Sequence, residues 1–262
     1  MSGEGAMTRR IVTGLAATIL LGMGLATTAQ ASGGGSVDER HWSFQGIFGT
    51  YDRGGLRRGL KVYQGVCASC HGLKYIAFRH LQDVGFTEDE VKVIAVDYTI
   101  EAGPDDAGDM FDRPGKASDR FPSPFANENA ARSSNGGALP PDLSLIVKAR
   151  EGGADYLYGL LTGYHDEAPE GVVVPDGMSY NDAFPGHLIG MPPPLFEGSV
   201  DYEDGTEATV EQMAADVTTF LAWSASPEME QRKRMGIKVI LFLIVLSGLL
   251  YAVKRKVWAD VH

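Results

Sequence analysis

The sequence is poor in cysteine, with only two among its 262 residues. A disulfide-stabilised scaffold is therefore excluded, because such folds need several cysteine pairs. Basic residues are also scarce, at 23 Lys and Arg against 34 Asp and Glu, for a net charge of -11. The deficit lies in residues 32–231, which carry -18, whereas residues 1–31 carry +1 and residues 232–262 carry +6. A domain this acidic repels nucleic acid and attracts basic partners, so we predict no nucleic-acid binding.

The sequence also lacks the short motifs of several enzyme classes. It contains no G-x-S-x-G nucleophile elbow, no P-loop and no H-E-x-x-H zinc motif. It has no internal repeat and no low-complexity segment. We therefore expect no chemistry of bond making or breaking from this chain, and whether it counts as an enzyme depends on the assembly in which it works.

The N-terminal part has the pattern of a targeting segment. Residues 7–31 combine two arginines with an apolar run and end in a small-residue A-x-A site, the layout of a secretory signal peptide. We expect residues 1–31 to be cleaved, with Met1 or Met7 as the start. An uncleaved N-terminal anchor is the alternative interpretation.

A second apolar run covers residues 236–253. As a helix it is about 27 Å long, which matches the hydrocarbon core of a bilayer, and a buried core helix is the alternative. Basic residues flank both sides, so the positive-inside rule does not set the orientation. The signal peptide sets it instead. Residues 32–231 are predicted on the periplasmic side of a bacterial inner membrane, and residues 232–262 form the anchor and a short cytoplasmic tail.

The exported region is predicted to be mainly α-helical with irregular insertions. Residues 101–141 are dense in Gly, Pro and Asp and cannot build much regular structure by themselves, so a large apolar cofactor would help to organise them. Thr209 and Gln212 fit a capping box at the start of the clearest helix. Helices are predicted at 55–66, 143–149, 155–161 and 209–225.

The two cysteines form one motif, Cys67-Ala68-Ser69-Cys70-His71. This C-x-x-C-H spacing is the signature of covalent c-type haem attachment, in which two thiols bind the vinyl groups and the histidine faces the iron. A thioredoxin-type pair needs a βαβ surround, a zinc site needs further ligands, and a simple disulfide leaves His71 unexplained. We predict one haem c bound through Cys67 and Cys70.

The iron of such a haem needs a sixth ligand or an open site. Met191 stands out because Gly190 precedes it and three prolines follow, which makes a rigid loop that presents one thioether. Met178 is the second choice, and a packing role for Met191 is the alternative. The remaining candidates are Met110, His80, His165 and His187.

Taken in order along the chain, these motifs resemble the cytochrome c1 family. The resemblance covers essentially the whole mature chain. Its pieces are Trp42-Ser43-Phe44-Gln45-Gly46, the segment from Asp52 to Gly59, Asn135-Gly136-Gly137-Ala138-Leu139-Pro140-Pro141-Asp142-Leu143-Ser144, Leu161-Thr162-Gly163-Tyr164, Phe184-Pro185-Gly186, Ile189-Gly190-Met191, Asp216-Val217-Thr218-Thr219-Phe220-Leu221 and Arg232-Lys233-Arg234-Met235-Gly236.

The resemblance implies a class I cytochrome c core with His71 and Met191 as axial ligands. It also implies a haem pocket lined by residues matching Asn135, Pro141, Arg150, Tyr156 and Phe184, with Arg150 neutralising a haem propionate. Some bacterial relatives carry an extra disulfide in this domain. This chain has no cysteine left for one, so we expect packing and proline alone to hold the ligand loop.

The function implied is electron transfer within the bc1 complex, from the Rieske iron–sulfur protein to a basic soluble or membrane-anchored cytochrome c, beside cytochrome b. Residues 83–112 hold ten acidic residues and one Lys, and residues 197–211 hold six acidic and no basic residues. These runs are either solvated surface or a docking field for that partner. The rival hypotheses are another anchored c-type cytochrome, as in a terminal oxidase or nitric oxide reductase, and a haem enzyme or gas sensor with an open sixth position.

Overall fold

The computed structural model describes residues 37–259. The predicted signal peptide, residues 1–31, lies outside this range. The described part is mostly helical, as predicted, with short strands and irregular segments between the helices. The helices are α1 (Arg53–Gly65), α2 (Leu81–Val84), α3 (Glu88–Val96), α4 (Glu128–Ser134), α5 (Ile146–Ala149), α6 (Gly153–Thr162), α7 (Val210–Ala225) and α8 (Met229–Val257). The strands are β1 (Thr99–Ala102), β2 (Phe111–Pro114), β3 (Tyr164–His165), β4 (Ser179–Asn181) and β5 (Leu188–Ile189).

The helix predictions are confirmed at α1, α6 and α7, within a few residues at each end. The helix predicted at 143–149 is shorter, because α5 starts only at Ile146. The capping box is half formed. The Thr209 side chain accepts a hydrogen bond from the Gln212 amide, whereas the Gln212 side chain donates to Asp216 instead of returning to the cap.

The pair α1 and α7 forms the centre of the core. Gly59 lies so close to α7 that an added Cβ would be 2.1 Å from the Asp216 carbonyl oxygen, so only glycine allows this approach. Arg58 on α1 binds the buried Asp216 carboxylate through Nε and Nη2, at 2.9 and 3.1 Å. Aromatic side chains extend the core towards the motif of Cys67, with Tyr63 packed against Phe220.

The segment 101–141 has little regular structure, as predicted. Strands β1 and β2 pair in an antiparallel hairpin, and α4 follows with Asn127 as its N-cap. A second, three-stranded antiparallel sheet has the order β3, β4, β5. It joins the end of α6 to the segment that carries Met191.

Within residues 37–259, α8 is the helix that is long and apolar enough to cross a membrane. It contains the predicted span 236–253, and none of its apolar stretch is buried in the protein. Ser226 to Glu228 separate it from α7. The predicted domain boundary at residues 231 and 232 falls inside this continuous helix.

Candidate functional site

The C-x-x-C-H motif lies on the turn that follows α1. The helix ends at Gly65, and a 3-10 turn over Cys67–Ser69 continues it. The amides of Cys70 and His71 both donate to the Cys67 carbonyl, at 3.1 and 2.9 Å. This turn places the two thiols on one short segment, and they are not joined in a disulfide. Burial raises the pKa of Cys67 to about 12, with Cys70 as a smaller contribution.

The His71 imidazole has a defined hydrogen bond. Its Nδ1 atom lies 2.7 Å from the carbonyl oxygen of Pro141. A carbonyl can only accept, so Nδ1 carries the proton and Nε2 keeps a free lone pair. Burial lowers the pKa of His71, although the bond to Pro141 opposes this shift. The neutral imidazole with an available Nε2 is the form that binds a metal.

Backbone and side-chain bonds hold Pro141 in this place. The amide of Leu143 donates to the Gly72 carbonyl at 2.8 Å, next to His71. The Asp142 carboxylate accepts from the amides of Lys74 and Ser144, at 2.9 and 3.0 Å. The histidine segment and the Pro141 segment are therefore one hydrogen-bonded unit, although about 70 residues separate them.

Met191 follows β5 and Gly190 in the predicted proline-rich loop. The Tyr164 hydroxyl on β3 donates to the Met191 carbonyl at 3.1 Å. An added Cβ at Gly190 would be 3.5 Å from the Cβ of Ala138, so this loop lies against Ala138 in the segment 135–141. That same segment provides the Pro141 carbonyl for His71. The two predicted ligands are therefore linked through one segment of chain.

The ligand loop is held by more than packing and proline, which corrects the expectation from the sequence. Besides the Tyr164 bond, the buried Asn181 side chain organises the turn between β4 and β5. Its Oδ1 accepts from the amides of Ala183 and Phe184, both at 3.0 Å, and its Nδ2 donates to the Leu160 carbonyl at 2.8 Å. These hydrogen bonds hold the β4–β5 turn, which leads through β5 to the Met191 loop.

The other pocket residues implied by the resemblance have distinct positions. Asn135 ends α4, and its Nδ2 donates to the Ala131 carbonyl at 2.7 Å. Tyr156 is buried on α6, and Arg150 is exposed after α5. Burial raises the pKa of Tyr156, and the nearby positive charge of Arg150 lowers it by less. Phe184 is half-buried in the β4–β5 turn.

Tyr156 also connects the site residues with Tyr164. Burial raises the pKa of Tyr164, and Tyr156 adds to the shift, so the two phenols are near one another. Tyr164 and Asn181 were not among the predicted site residues. Tyr164 belongs to the Leu161-Thr162-Gly163-Tyr164 motif, but nothing in the local sequence shows that its hydroxyl reaches Met191.

The alternative ligands have other surroundings. His80 accepts a hydrogen bond from the Ala77 amide, His165 pairs with Asp182, and His187 stacks on Tyr180. Met110 and Met178 are 55% and 40% exposed. Met191, by comparison, is half-buried.

Residues 42–261 match the Cytochrome C1 family. The chain belongs to the cytochrome c1 family. It is 48% identical to cytochrome c1 of Rhodospirillum rubrum, over 94% of this chain and 96% of that one. It is 52% identical to the mitochondrial cytochrome c1 haem protein of Saccharomyces cerevisiae, over 84% of this chain and 71% of that one. It is 55% identical to cytochrome b/c1 of Bradyrhizobium diazoefficiens over 84% of this chain, and it spans 35% of that longer protein.

As a member of the cytochrome c1 family, the chain is a haem subunit of the bc1 complex in electron transport, and a membrane protein with one candidate spanning helix among residues 37–259. Its cofactor is one haem c attached through Cys67 and Cys70. The site fits this group, because one unjoined thiol lies at the start of the 3-10 turn and the other directly after it, and His71 has its Nε2 available. No other cysteine competes for the attachment, since the chain has only these two.

Proposed function

We propose that this cytochrome c1 family member takes one electron at a time from the Rieske iron–sulfur protein and passes it to a basic cytochrome c. The acceptor is soluble or membrane-anchored, and cytochrome b is the neighbouring subunit. Three features support this: family membership, the candidate membrane helix α8 and the acidic surface. The chain itself makes no bond, and the quinol chemistry belongs to other subunits.

We further propose His71 and Met191 as the axial ligands of the haem iron. The observation that carries this is the shared segment 135–141, which contacts His71 through the Pro141 carbonyl and Gly190 through Ala138. When bound, the haem supplies a one-electron redox couple. A neutral imidazole and a thioether are the ligand pair of electron-transferring cytochromes, and they leave no open position for oxygen.

The remaining pocket residues have supporting roles in this proposal. Arg150 is exposed beside Tyr156, and its guanidinium would neutralise a haem propionate by charge-assisted hydrogen bonds. Asn135, Pro141, Tyr156 and Phe184 would line the haem. Tyr164 acts as a positioning residue, because its hydroxyl binds the Met191 carbonyl and not the thioether.

The docking surface for the acceptor is proposed on the acidic segment 83–112. In the structure this segment forms α3 and the β1–β2 hairpin, and most of its acidic side chains are exposed. Such a surface accelerates encounter with a basic protein and loses that effect as salt screens it. The second-order rate of electron transfer to a basic cytochrome c should therefore fall as ionic strength rises. A rate independent of salt would contradict electrostatic docking.

The orientation of the chain in the membrane is proposed from the sequence pattern. We propose that residues 1–31 are removed, that residues 32–231 form the haem domain on the periplasmic side, and that residues 232–262 provide the anchor and tail. Covalent haem attachment outside the cytoplasm supports this arrangement. Trypsin added to intact spheroplasts should digest the haem domain, and protection of the domain would contradict the proposal.

The ligand assignment is tested by spectroscopy on the solubilised, purified protein. The alkaline pyridine haemochrome should be c-type with one haem per chain, and the oxidised protein should show the near-infrared Met–iron band. Met191→Leu should abolish that band. Met178→Leu is the matched control and should retain it, because Met178 is exposed after the turn at Pro175. Retention of the band in Met191→Leu, or ready binding of CO by the unaltered protein, would overturn the assignment.

A further inference from the structure

A small closed loop precedes α1 and presents two apolar side chains to solvent. Residues 43–50 form this loop, and the amide of Thr50 closes it by donating to the Ser43 carbonyl at 3.0 Å. At its tip, the amide of Gly49 donates to the Gly46 carbonyl at 3.4 Å. The two residues between these glycines, Ile47 and Phe48, are 69% and 83% exposed.

The loop is built to hold this shape. Gly46 has a φ of +72°, in the left-handed region. An added Cβ at Gly49 would be 1.9 Å from the Gln45 carbonyl oxygen, so a side chain cannot be placed there without rebuilding the loop. Phe44 anchors the base, since it stacks on Trp42 and contacts Tyr51, with ring centroids 5.6 and 5.3 Å apart. The exposed tip is therefore a property of an ordered loop.

The base of the loop is bound to the start of the membrane helix. The Lys233 ammonium on α8 donates to the carbonyls of Phe44 and Gly49, at 2.7 and 3.0 Å. The Glu230 carboxylate accepts from the Tyr51 amide at 2.9 Å. Lys233 precedes the apolar run at residue 236 by three residues, which is about 4.5 Å along a helix axis. The loop thus lies at the level where α8 enters the bilayer.

We propose that Ile47 and Phe48 insert into the interfacial layer of the lipid bilayer beside α8. The 43–50 loop carries no charged side chain, whereas the neighbouring segment 232–234 is entirely basic and attracts anionic headgroups. Aromatic and aliphatic side chains beside basic residues are typical of segments that lie at this depth. The loop is a second, shallow membrane contact, and together with α8 it restricts the tilt of the haem domain over the membrane.

We assign lipid as the material that covers Ile47 and Phe48, because the Lys233 hydrogen bonds hold the loop against the membrane-spanning helix. A contact with another subunit is the competing outcome, and measurements with and without the other subunits separate the two. The proposal does not depend on the axial ligands or the redox partners.

The test uses a nitroxide label on an introduced cysteine. Both native cysteines attach the haem, so Phe48→Cys gives this chain one reactive thiol. Val173→Cys is the matched control, because Val173 is 84% exposed in the segment between β3 and β4. The full-length haem-loaded protein is reconstituted in liposomes of phosphatidylcholine and phosphatidylglycerol. Collisions of each label with oxygen, which partitions into lipid, and with a water-soluble nickel chelate are then measured by power saturation.

The expected oxygen-to-nickel collision ratio is several-fold higher at position 48 than at position 173. Equal ratios at both positions would overturn the proposal. The same labels are measured in the assembled complex in liposomes. If the label at 48 is there shielded from both oxygen and nickel, a subunit covers the loop and the lipid assignment is wrong. A label that keeps its high ratio in the complex supports it.

Lys233→Met, made on the Phe48→Cys background, tests whether the Lys233 hydrogen bonds hold the loop against α8. Loss of the two hydrogen bonds should bring the collision ratio at position 48 towards that of position 173. Arg234→Met is the matched control, because it removes a neighbouring positive charge whose side chain, among the described residues, donates a hydrogen bond to the Glu230 carbonyl of its own helix and not to the loop. A ratio that falls equally in both variants would show that positive charge, and not the two Lys233 hydrogen bonds, sets the depth of the loop. That result would overturn the role given to Lys233.

Discussion

The Nδ1 atom of His71 lies 2.7 Å from the carbonyl oxygen of Pro141, across 70 residues of sequence. This bond fixes the tautomer of the imidazole and directs Nε2 away from Pro141. No substitution at Pro141 can remove a backbone carbonyl, so the bond is best tested through the residues that hold it.

Asp142→Ala should loosen the Pro141 segment. The change leaves the amides of Lys74 and Ser144 without their carboxylate acceptor. Hydrogen bonds to a charged group contribute about 1.5–3 kcal/mol, so the free energy of unfolding should fall by about 2 kcal/mol. Guanidinium unfolding of the haem-loaded protein, followed in the Soret band, measures this. Asp106→Ala, in the exposed turn of the β1–β2 hairpin, is the control. Equal stability of the two variants would contradict the role given to Asp142.

Tyr164→Phe should weaken retention of the predicted methionine ligand. The substitution removes the hydrogen bond from the hydroxyl to the Met191 carbonyl and keeps the ring. A typical net contribution is about 1 kcal/mol, so the near-infrared band should disappear at a lower guanidinium concentration than in the unaltered protein. Tyr75→Phe, at a tyrosine that is 50% exposed, should leave that midpoint unchanged. An unshifted midpoint in Tyr164→Phe would show that the bond does not position the loop.

Asp216→Asn should be the most destabilising of these changes. The Asp216 side chain is 4% exposed and binds Arg58 through both oxygens, so neutralising it leaves a partly buried guanidinium without its main partner. Breaking such a pair costs about 3–5 kcal/mol. Asp204→Asn neutralises the second partner of Arg58. The Asp204 side chain is 46% exposed, so this change should cost no more than about 1 kcal/mol. Thermal unfolding of both variants tests the contrast, and similar losses would refute it.

Glu90→Gln should change how stability depends on pH. Hydrogen bonds from Arg57 and then from Thr87 lower the pKa of Glu90 from 4.5 to about 2. Because the pKa in the folded protein is below that in the unfolded chain, these bonds stabilise the protein above pH 4.5. The stabilisation is lost as the pH falls from 4.5 towards 2.

The expected result is a difference in unfolding free energy between the unaltered protein and Glu90→Gln that is present at pH 6 and shrinks below pH 4.5. Added salt should reduce it, since the pair is exposed. Glu101→Gln, on strand β1, controls for the loss of one surface charge. A difference that stays constant across this pH range would be inconsistent with the Arg57 and Thr87 bonds.

The helix predicted at 143–149 begins only at Ile146, and its start shows where the local sequence pattern was insufficient. Its first residues are used by tertiary hydrogen bonds, since the Ser144 hydroxyl accepts from the Tyr75 amide and the Ser144 carbonyl accepts from Ser224. Similarly, the Gln212 side chain donates to the buried Asp216 carboxylate instead of completing the predicted capping box. In both cases the groups expected to complete the helix end bond to another residue instead, Ser144 to distant segments and Gln212 to a carboxylate one turn further along its own helix.

The sequence by itself determined the cofactor motif, the membrane helix and the main core helices. These features depend on short-range spacing: three residues from one thiol to the next, an apolar run of bilayer length and apolar residues at helical period. Only the tertiary structure decided which carbonyl meets His71, which hydroxyl holds Met191 and which ammonium ties the 43–50 loop to α8. Each of those bonds joins residues at least 27 positions apart, and such pairings depend on how the packed helices bring distant segments together.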